Sequence, residues 1–290
     1  MSNPYVIMLT GGIGNIIQLT PLMGYLKSQG FKVIAERHPE AWSDEICEMV
    51  SPVYDKLVPW RHSPLNTNRL ITGAHRFAKA LIMQGESEWA TYFRINGFDP
   101  PPLEQVKTVV DFEPQKAPHR IILAPCCKKE WPMKRWPHWD ELIHELRTCA
   151  VVGVPSDGGL LTGGFIDLRG QTTLRELAGM LADADVVIAE EGGIGHLACA
   201  VGTTAYILYG GTMVSKNLPP HHGIPVMSPD KFECRPCQWR PHCYLVKRQG
   251  EKHPIIYGCC PGQQINGYSR CLATLRPYHV MKAMEANGDL

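Results

Sequence analysis

Residues 185–212, DVVIAEEGGIGHLACAVGTTAYILYGGT, hold the densest group of chemically useful side chains in the sequence. Two carboxylates, Glu190 and Glu191, precede Gly192-Gly193-Ile194-Gly195-His196. Glycines let a backbone approach a ligand closely, and the first turn of a following helix offers unpaired N–H groups to an anion. Glu191 is placed to accept hydrogen bonds from the sugar hydroxyls of a nucleotide. Taken alone, the glycines fit a tight strand-to-helix turn just as well.

Two further groups carry chemistry. Gly-Gly-Ile-Gly occurs a second time at 11–14, where Asn15 follows it. In two similar domains, the two turns would face each other across a cleft. Gly12-Ile13-Gly14 is a poor dinucleotide fingerprint, because the third glycine is missing and Glu36 alone does not make the ribose carboxylate. The other group is the cysteines at 234, 237, 243, 259, 260 and 271. Cys234-Arg-Pro-Cys237 has the gap of a zinc knuckle, and Cys243, Cys259, Cys260 or Cys271 could complete four ligands, with Cys243 and Cys271 the pair taken first. His242 and His253 are spare candidates. Free thiols are the competing reading, and disulfides a third.

The elements that must position these groups follow from hydrophobic pattern. Val186 to Ala189 is a short β-branched run and reads as a buried strand. A helix through Leu197 to Val201 ends at Gly202, and Ala205 to Tyr209 is the next strand. Near the N-terminus the order repeats: strand Tyr5 to Leu9, helix Asn15 to Ser28, strand Phe31 to Ala35. Pro21 should kink that helix or shift its start. Strand, glycine turn, helix, strand is the unit of a parallel α/β sheet. Between these regions the pattern is weaker. It predicts helices over Ala41–Val50 and Leu70–Met83, a strand at Lys56–Val58, and an aromatic segment at Trp89–Phe98 that would be core or border an acceptor site. Residues 112–119, FEPQKAPH, read as the interdomain linker. Beyond it come strand Arg120–Ala124, helix Trp139–Leu146, strand Ala150–Val154, a helix capped by Thr173 with Glu176 completing a capping box, and a final helix over Arg276–Ala286. This gives two domains, 1–116 and 117–290, the second with a Cys-rich segment at 232–271.

The sequence 190–212 resembles the nucleotide-sugar signature of glycosyltransferase family nine, the ADP-heptose:lipopolysaccharide heptosyltransferases. Glu191 stands at that signature's Asp, Gly193 at its Gly, His196 at its His and Thr212 at its Thr. GGIGNIIQLTPLMGYLK resembles the family's opening, with Thr20, Pro21, Leu26 and Lys27 in register. Lys134-Arg-Trp-Pro resembles Lys-x-Trp-Pro, and 167–174 resembles Asp-Leu-x-Gly-x-Thr-Ser-Leu. Cys271 to Val280 resembles the family's ending.

The resemblance implies the GT-B arrangement, two Rossmann-like domains with the nucleotide sugar between them. It implies inverting, metal-independent transfer of a heptose-like sugar from a nucleoside diphosphate to a glycan, lipid-linked or other hydroxyl acceptor. Lys134 would stabilise the leaving diphosphate; read without the resemblance, it is a solvated basic turn. Gly12, Gly14, Thr173, Glu191, Gly192, Gly193, His196 and Thr212 would bind the donor. At the place of the family's base stands Asn15, and an amide accepts no proton at neutral pH. Another group must then be the base, with Glu36, His38 and Asp99 as candidates, or the chain is a non-catalytic nucleotide-sugar binder.

Composition narrows the rest. Net charge is +1, which gives no global field for nucleic acid. The CxxC and basic residues Arg235, Arg240, Lys247 and Arg248 are what a nucleic-acid-directed reading would rest on. No apolar run reaches the ~20 residues of a membrane span. The N-terminus lacks the basic region of a signal peptide. A cytoplasmic protein is expected, with peripheral membrane contact allowed, no cofactor for catalysis, and structural zinc as the one candidate metal.

Overall fold

The computed structural model describes residues 3–64, 66–72, 81–82, 84–127, 131–236 and 264–290. Two sheets carry the fold. β1 (Tyr5–Gly11), α1 (Ile13–Ser28), β2 (Val33–Ala41), α2 (Asp44–Met49), β3 (Lys56–Pro59) and β4 (Asn68–Arg69) build the first, in the order β3-β2-β1-β4. α3 (Glu88–Ile95) packs back on α1. The second sheet contains β5 (Ile121–Ala124), β6 (Cys149–Val151), β7 (Phe165–Asp167), β8 (Val186–Glu190), β9 (Thr204–Leu208) and β10 (Gly223–Val226), in the order β10-β9-β8-β5-β6-β7. Between its strands run α4 (Trp139–Leu146), α5 (Leu174–Asp183), α6 (Gly193–Ala200) and α7 (Val214–Asn217). All pairs in both sheets are parallel. Each order reverses beside its first strand, which makes the switch point where α/β sheets bind ligands.

The central strands of the second sheet are largely apolar because helices cover both faces. β8 is buried at all five positions. α1 runs unbroken through Pro21. Proline removes the N–H that would bond the carbonyl four residues back, here Ile17. The Thr20 hydroxyl replaces it, donating to the Ile17 carbonyl oxygen at 2.7 Å, and accepts Val109 N–H at 3.0 Å. The helix is continuous across Pro21.

Two expectations need correction. Ala41 ends β2, and the helix begins later, capped by Ser43 accepting from Ile46 N–H at 3.3 Å. Leu70 to Thr72 are not helical; Leu70 N–H bonds Val6 O and Ile71 N–H bonds Asn96 Oδ1, which holds the segment at the sheet edge. Residues 73–80 and 83 of that expected helix lie outside the described residues. The last helix, α9 (Pro277–Asn287), follows the short α8 (Arg270–Ala273). α9 packs on α4 and β10, burying Val280 and Met284 beside Trp136, Trp139 and Leu275. Among the described residues no helix is long and apolar enough to cross a membrane.

The crossing between sheets, residues 106–117, carries no helix or strand. It lies hard against α5. A Cβ on Gly179 would sit 2.1 Å from the Glu113 carbonyl oxygen. Alanine is favoured over glycine within a helix by about 1 kcal/mol, but backbone cannot yield as a side-chain tip can. Gly179→Ala should thus lower unfolding stability by about 1–3 kcal/mol. A urea midpoint unchanged or raised would show that the crossing segment moves aside without cost.

Candidate functional site

Both sheets direct the carboxyl ends of their strands at one cavity of ≈ 460 Å³. From the first sheet come Gly12 to Asn15 after β1 and Trp42 after β2, with Glu88 from α3. From the second come Cys126 and Cys127 after β5, Val154 and Asp157 after β6, Glu191 to Ile194 and His196 after β8, and Lys216 and Asn217 in α7. Trp131 and Lys134 complete the wall.

The two glycine turns do face each other, at contact distance. A Cβ on Gly14 would lie 2.6 Å from the His196 ring, and one on Gly193 would lie 2.8 Å from the Ile13 side chain. Each glycine is the socket for a side chain of the other turn, and α1 packs on α6 as a result. Gly192 is the N-cap of α6, so the first N–H groups of that helix open toward the cavity.

Two buried ion pairs line the space. The Lys134 ammonium contacts the Glu191 carboxylate and also lies over the Trp131 ring, 4.9 Å from its centroid. Burial pushes the Glu191 carboxyl up, but Lys134, with help from His196 and Lys216, holds it below the usual carboxylate range. The second pair is Lys216 Nζ with Glu88 Oε2, at 2.5 Å. Glu88 is 1% exposed, so its charge depends on what surrounds it. Burial raises its pKa, yet the Lys216 ammonium and hydrogen bonds from Asn15 and Tyr92 outweigh that and bring it down to about 2. Burial also lowers His196, to about 4. The imidazole is neutral at pH 7, and its Nδ1 is buried without a hydrogen-bond partner. It offers a polar edge and no positive charge.

Asn15 helps to cap α1 from the N3 position, its side chain accepting the N-cap backbone N–H. Gly12 is the N-cap of α1, and Asn15 sits in its first turn. Its Oδ1 accepts Gly12 N–H at 3.2 Å and its Nδ2 donates to Glu88 Oε1 at 2.7 Å. The carboxylate fixes the amide's orientation, since only the NH₂ can donate to it. Tyr92 OH donates to the same Oε1 at 2.9 Å.

Of the residues expected to bind the donor, Gly12, Gly14, Glu191, Gly192, Gly193 and His196 line the cavity with Lys134 and Asn15. Thr173 and Thr212 do not. Thr173 caps α5 and forms the expected box with Glu176. It is held there because Glu45 of α2 accepts the next two N–H groups, of Leu174 and Arg175, at 3.1 and 2.8 Å. Thr212 is buried, its hydroxyl without a partner. The three candidate bases lie elsewhere. Glu36 is buried in β2 and bound to Arg69 and Ser63. His38 accepts Glu40 N–H and packs edge-on to Trp60. Asp99 is fully exposed beside Arg94. The aromatic residues Trp89, Tyr92 and Phe93 are core on α3.

Sequence reasoning missed Glu88 and Lys216. Glu88 stands in the aromatic segment, where the rings drew attention, and Lys216 follows four residues beyond Thr212, where the motif stops. Cys237 and Cys243 lie outside the described residues. Cys271 is buried near Gly210, whose Cβ would lie 3.4 Å from its Sγ. Among the described residues, no three His, Cys, Asp or Glu side chains are placed to hold a metal.

Comparison with known proteins gives the site its context. Residues 101–245 match the model of glycosyltransferase family 9 (heptosyltransferase). Lipooligosaccharide heptosyltransferase 2 of Haemophilus influenzae is 30% identical over an alignment that covers 38% of this chain and 38% of the relative, so the match spans under half of that protein's length. In fold, the chain superposes on E. coli ADP-heptose lps heptosyltransferase II with a TM-score of 0.61 and 13% identity, covering 98% of each chain. On the dodecameric iron-containing heptosyltransferase TibC in complex with ADP-D-beta-D-heptose, the TM-score is 0.67 and the identity 14%, over 99% of this chain and 78% of that one. TibC comes from enterotoxigenic E. coli H10407. The heptosyltransferase WaaC of E. coli, solved with ADP, matches at a TM-score of 0.52 and 13% identity over 99% and 98%. The expected GT-B fold, two parallel α/β units, is the one these structures share.

Proposed function

Because this chain belongs to glycosyltransferase family 9, we propose that it moves a heptose-like sugar from a nucleoside diphosphate to a hydroxyl acceptor, with inversion and without a catalytic metal. The observation that carries the reading is the cavity between the two facing glycine turns, walled by Lys134 and Lys216 and capped by the start of α6. Its volume suits a nucleotide sugar. Two ammonium groups and a helix N-terminus neutralise the charge that grows on a leaving diphosphate. Glu191 is placed for hydroxyls of the nucleotide. The relatives solved with ADP or ADP-heptose make ADP-heptose the first donor to try. A lipooligosaccharide or related glycan is the first acceptor, from the relative's name.

A thermal-shift panel of nucleotide sugars tests this. A donor at about 100 times its Kd stabilises the native state by about 2.7 kcal/mol. ADP-heptose should shift the melting temperature more than UDP- or GDP-sugars do, and no shift with any nucleotide sugar would end the proposal. Anomeric coupling in the product reports inversion directly. Asn15 favours one alternative, a binder without catalysis. It predicts the same thermal shift with no transfer to any acceptor.

We propose structural metal in the Cys-rich segment as a separate matter. Protein purified without chelator should then carry about one zinc per chain. Iron belongs in the same measurement, since TibC is described as iron-containing. Absence of both, with freely titratable thiols, would leave the thiol reading.

A further inference from the structure

We propose that Glu88 is the base that takes the acceptor's proton, and that the donor switches it on by drawing Lys216 from the carboxylate onto the diphosphate. The inference rests on the glycosyl-transfer reading above.

The argument starts from what the site lacks. Asn15 accepts no proton, and its amide is committed to Gly12 N–H and Glu88. Glu191 is the partner of Lys134, across the cavity on the donor side. Asp157 stands on the second sheet's side with Glu191 and accepts Val154 N–H; Glu88 is the carboxylate that comes from the first sheet's side of the cavity, opposite the donor turn. Its two oxygens differ. Oε1 is saturated by Asn15 and Tyr92, which fix the carboxylate's orientation. Oε2 meets Lys216 alone among the groups described at it. While that pair holds, the carboxylate is a poor base.

Lys216 has a choice of partners. It is on α7, behind the donor strands, and it bonds Asn217 Oδ1 at 2.8 Å as well as Glu88. A diphosphate entering between the glycine turns brings more negative charge than one carboxylate. An ammonium drawn to it leaves Glu88 buried with no cation, and burial is then opposed only by the hydrogen bonds from Asn15 and Tyr92. Oε2 is freed toward the cavity and its basicity rises at the moment a donor is present. The acceptor O–H then gives its proton to Glu88 Oε2. Its oxygen bonds the anomeric carbon as the bond from that carbon to the diphosphate oxygen breaks. The electron pair leaves on the diphosphate, beside Lys134 and Lys216. The proton on Glu88 passes to solvent when the products depart and Lys216 returns.

The groups facing Glu88 are Lys216 from α7, Asn15 from α1, Tyr92 on its own helix, and His196 from α6, which is neutral near pH 7. Glu191 and Lys134 lie beyond them. None of the neutral groups reproduces the shift expected when Lys216 leaves. The acid limb of kcat, which reports the donor complex, should therefore lie at higher pH than that of kcat/KM, which reports the free protein.

The test pairs ADP titration with turnover across pH. Glu88→Gln should bind ADP several-fold more tightly than the native chain, because no carboxylate competes for Lys216. Its kcat should fall about 10²- to 10⁴-fold, with the acid limb gone. Turnover near the native level with the limb kept would overturn the base. Unchanged ADP affinity would overturn the switch. Should Glu88→Gln fail to fold, Glu88→Asp keeps the charge and withdraws it by one methylene. It should bind ADP as the native chain does and lose kcat while keeping the acid limb; native kcat in that variant would overturn the assignment. A native chain that binds neither ADP nor ADP-heptose would overturn the transfer reading itself, before any variant is made.

Discussion

Lys134→Ala is expected to weaken nucleoside-diphosphate binding about 10- to 100-fold, the loss of one charged hydrogen bond of about 1.5–3 kcal/mol. Turnover should fall further, by about 10²- to 10³-fold, because charge on the diphosphate is greatest as it leaves. One complication follows from the structure. Lys134 is the partner of Glu191, and without it burial, opposed only by His196 and Lys216, pushes that carboxyl up. A carboxylate held low in the native state contributes stability above its unfolded pKa, and that contribution disappears as pH falls through the native value. The single variant should thus lose stability at neutral pH. Lys134→Ala with Glu191→Gln removes both charges and should recover stability without recovering ADP affinity. Native affinity in the double variant would show that Lys134 serves only to hold Glu191.

Asn15→Asp should lower both transfer and stability. The residue resembles an Asp in the family's opening, so restoring the acid looks from sequence like a gain. In the fold it is not one. Asn15 Nδ2 donates to Glu88 Oε1 at 2.7 Å, and an Asp would set a second carboxylate against the first. Two acids at that distance cannot both ionise readily, so one holds a proton. The defect should ease as pH falls and that proton becomes easier to hold. Exchange of the two side chains, Asn15→Asp with Glu88→Gln, restores one donor and one acceptor across the contact. The pair should be more stable than either single variant and more active than Glu88→Gln alone. A double variant as impaired as the sum of the singles would show that the two positions do not act as one unit.

How much of this was legible varied along the chain. The strands around both glycine turns read clearly because buried parallel strands are continuous apolar runs, and the helices between them end at glycines. Thr173 and Glu176 announced their capping box through spacing alone. Yet that same spacing gave no sign that Thr173 faces away from the cavity, where Glu45, distant in sequence, completes the helix end. Within residues 39 to 118 the pattern marked β3, but β4 is a two-residue edge strand whose pairing, not composition, defines it. Glu88 could not be found by motif. Its role depends on Asn15, 73 residues away, and on Lys216, and neither spacing has a sequence period.

The interlocked glycine turns also bear on how this sequence is free to drift. Gly14 accommodates the His196 ring, and Gly193 accommodates the Ile13 side chain. A larger residue at 14 is tolerable only with a smaller one at 196, and the same holds for 193 and 13. Substitutions at these places should therefore be accepted in pairs, each pair joining one half of the chain to the other. Grafting the second half onto a foreign first half would break both pairs at once, even where every strand and helix matched. Compatibility between halves is thus tested at these four residues beside the cavity, together with the Glu45 and Lys216 contacts.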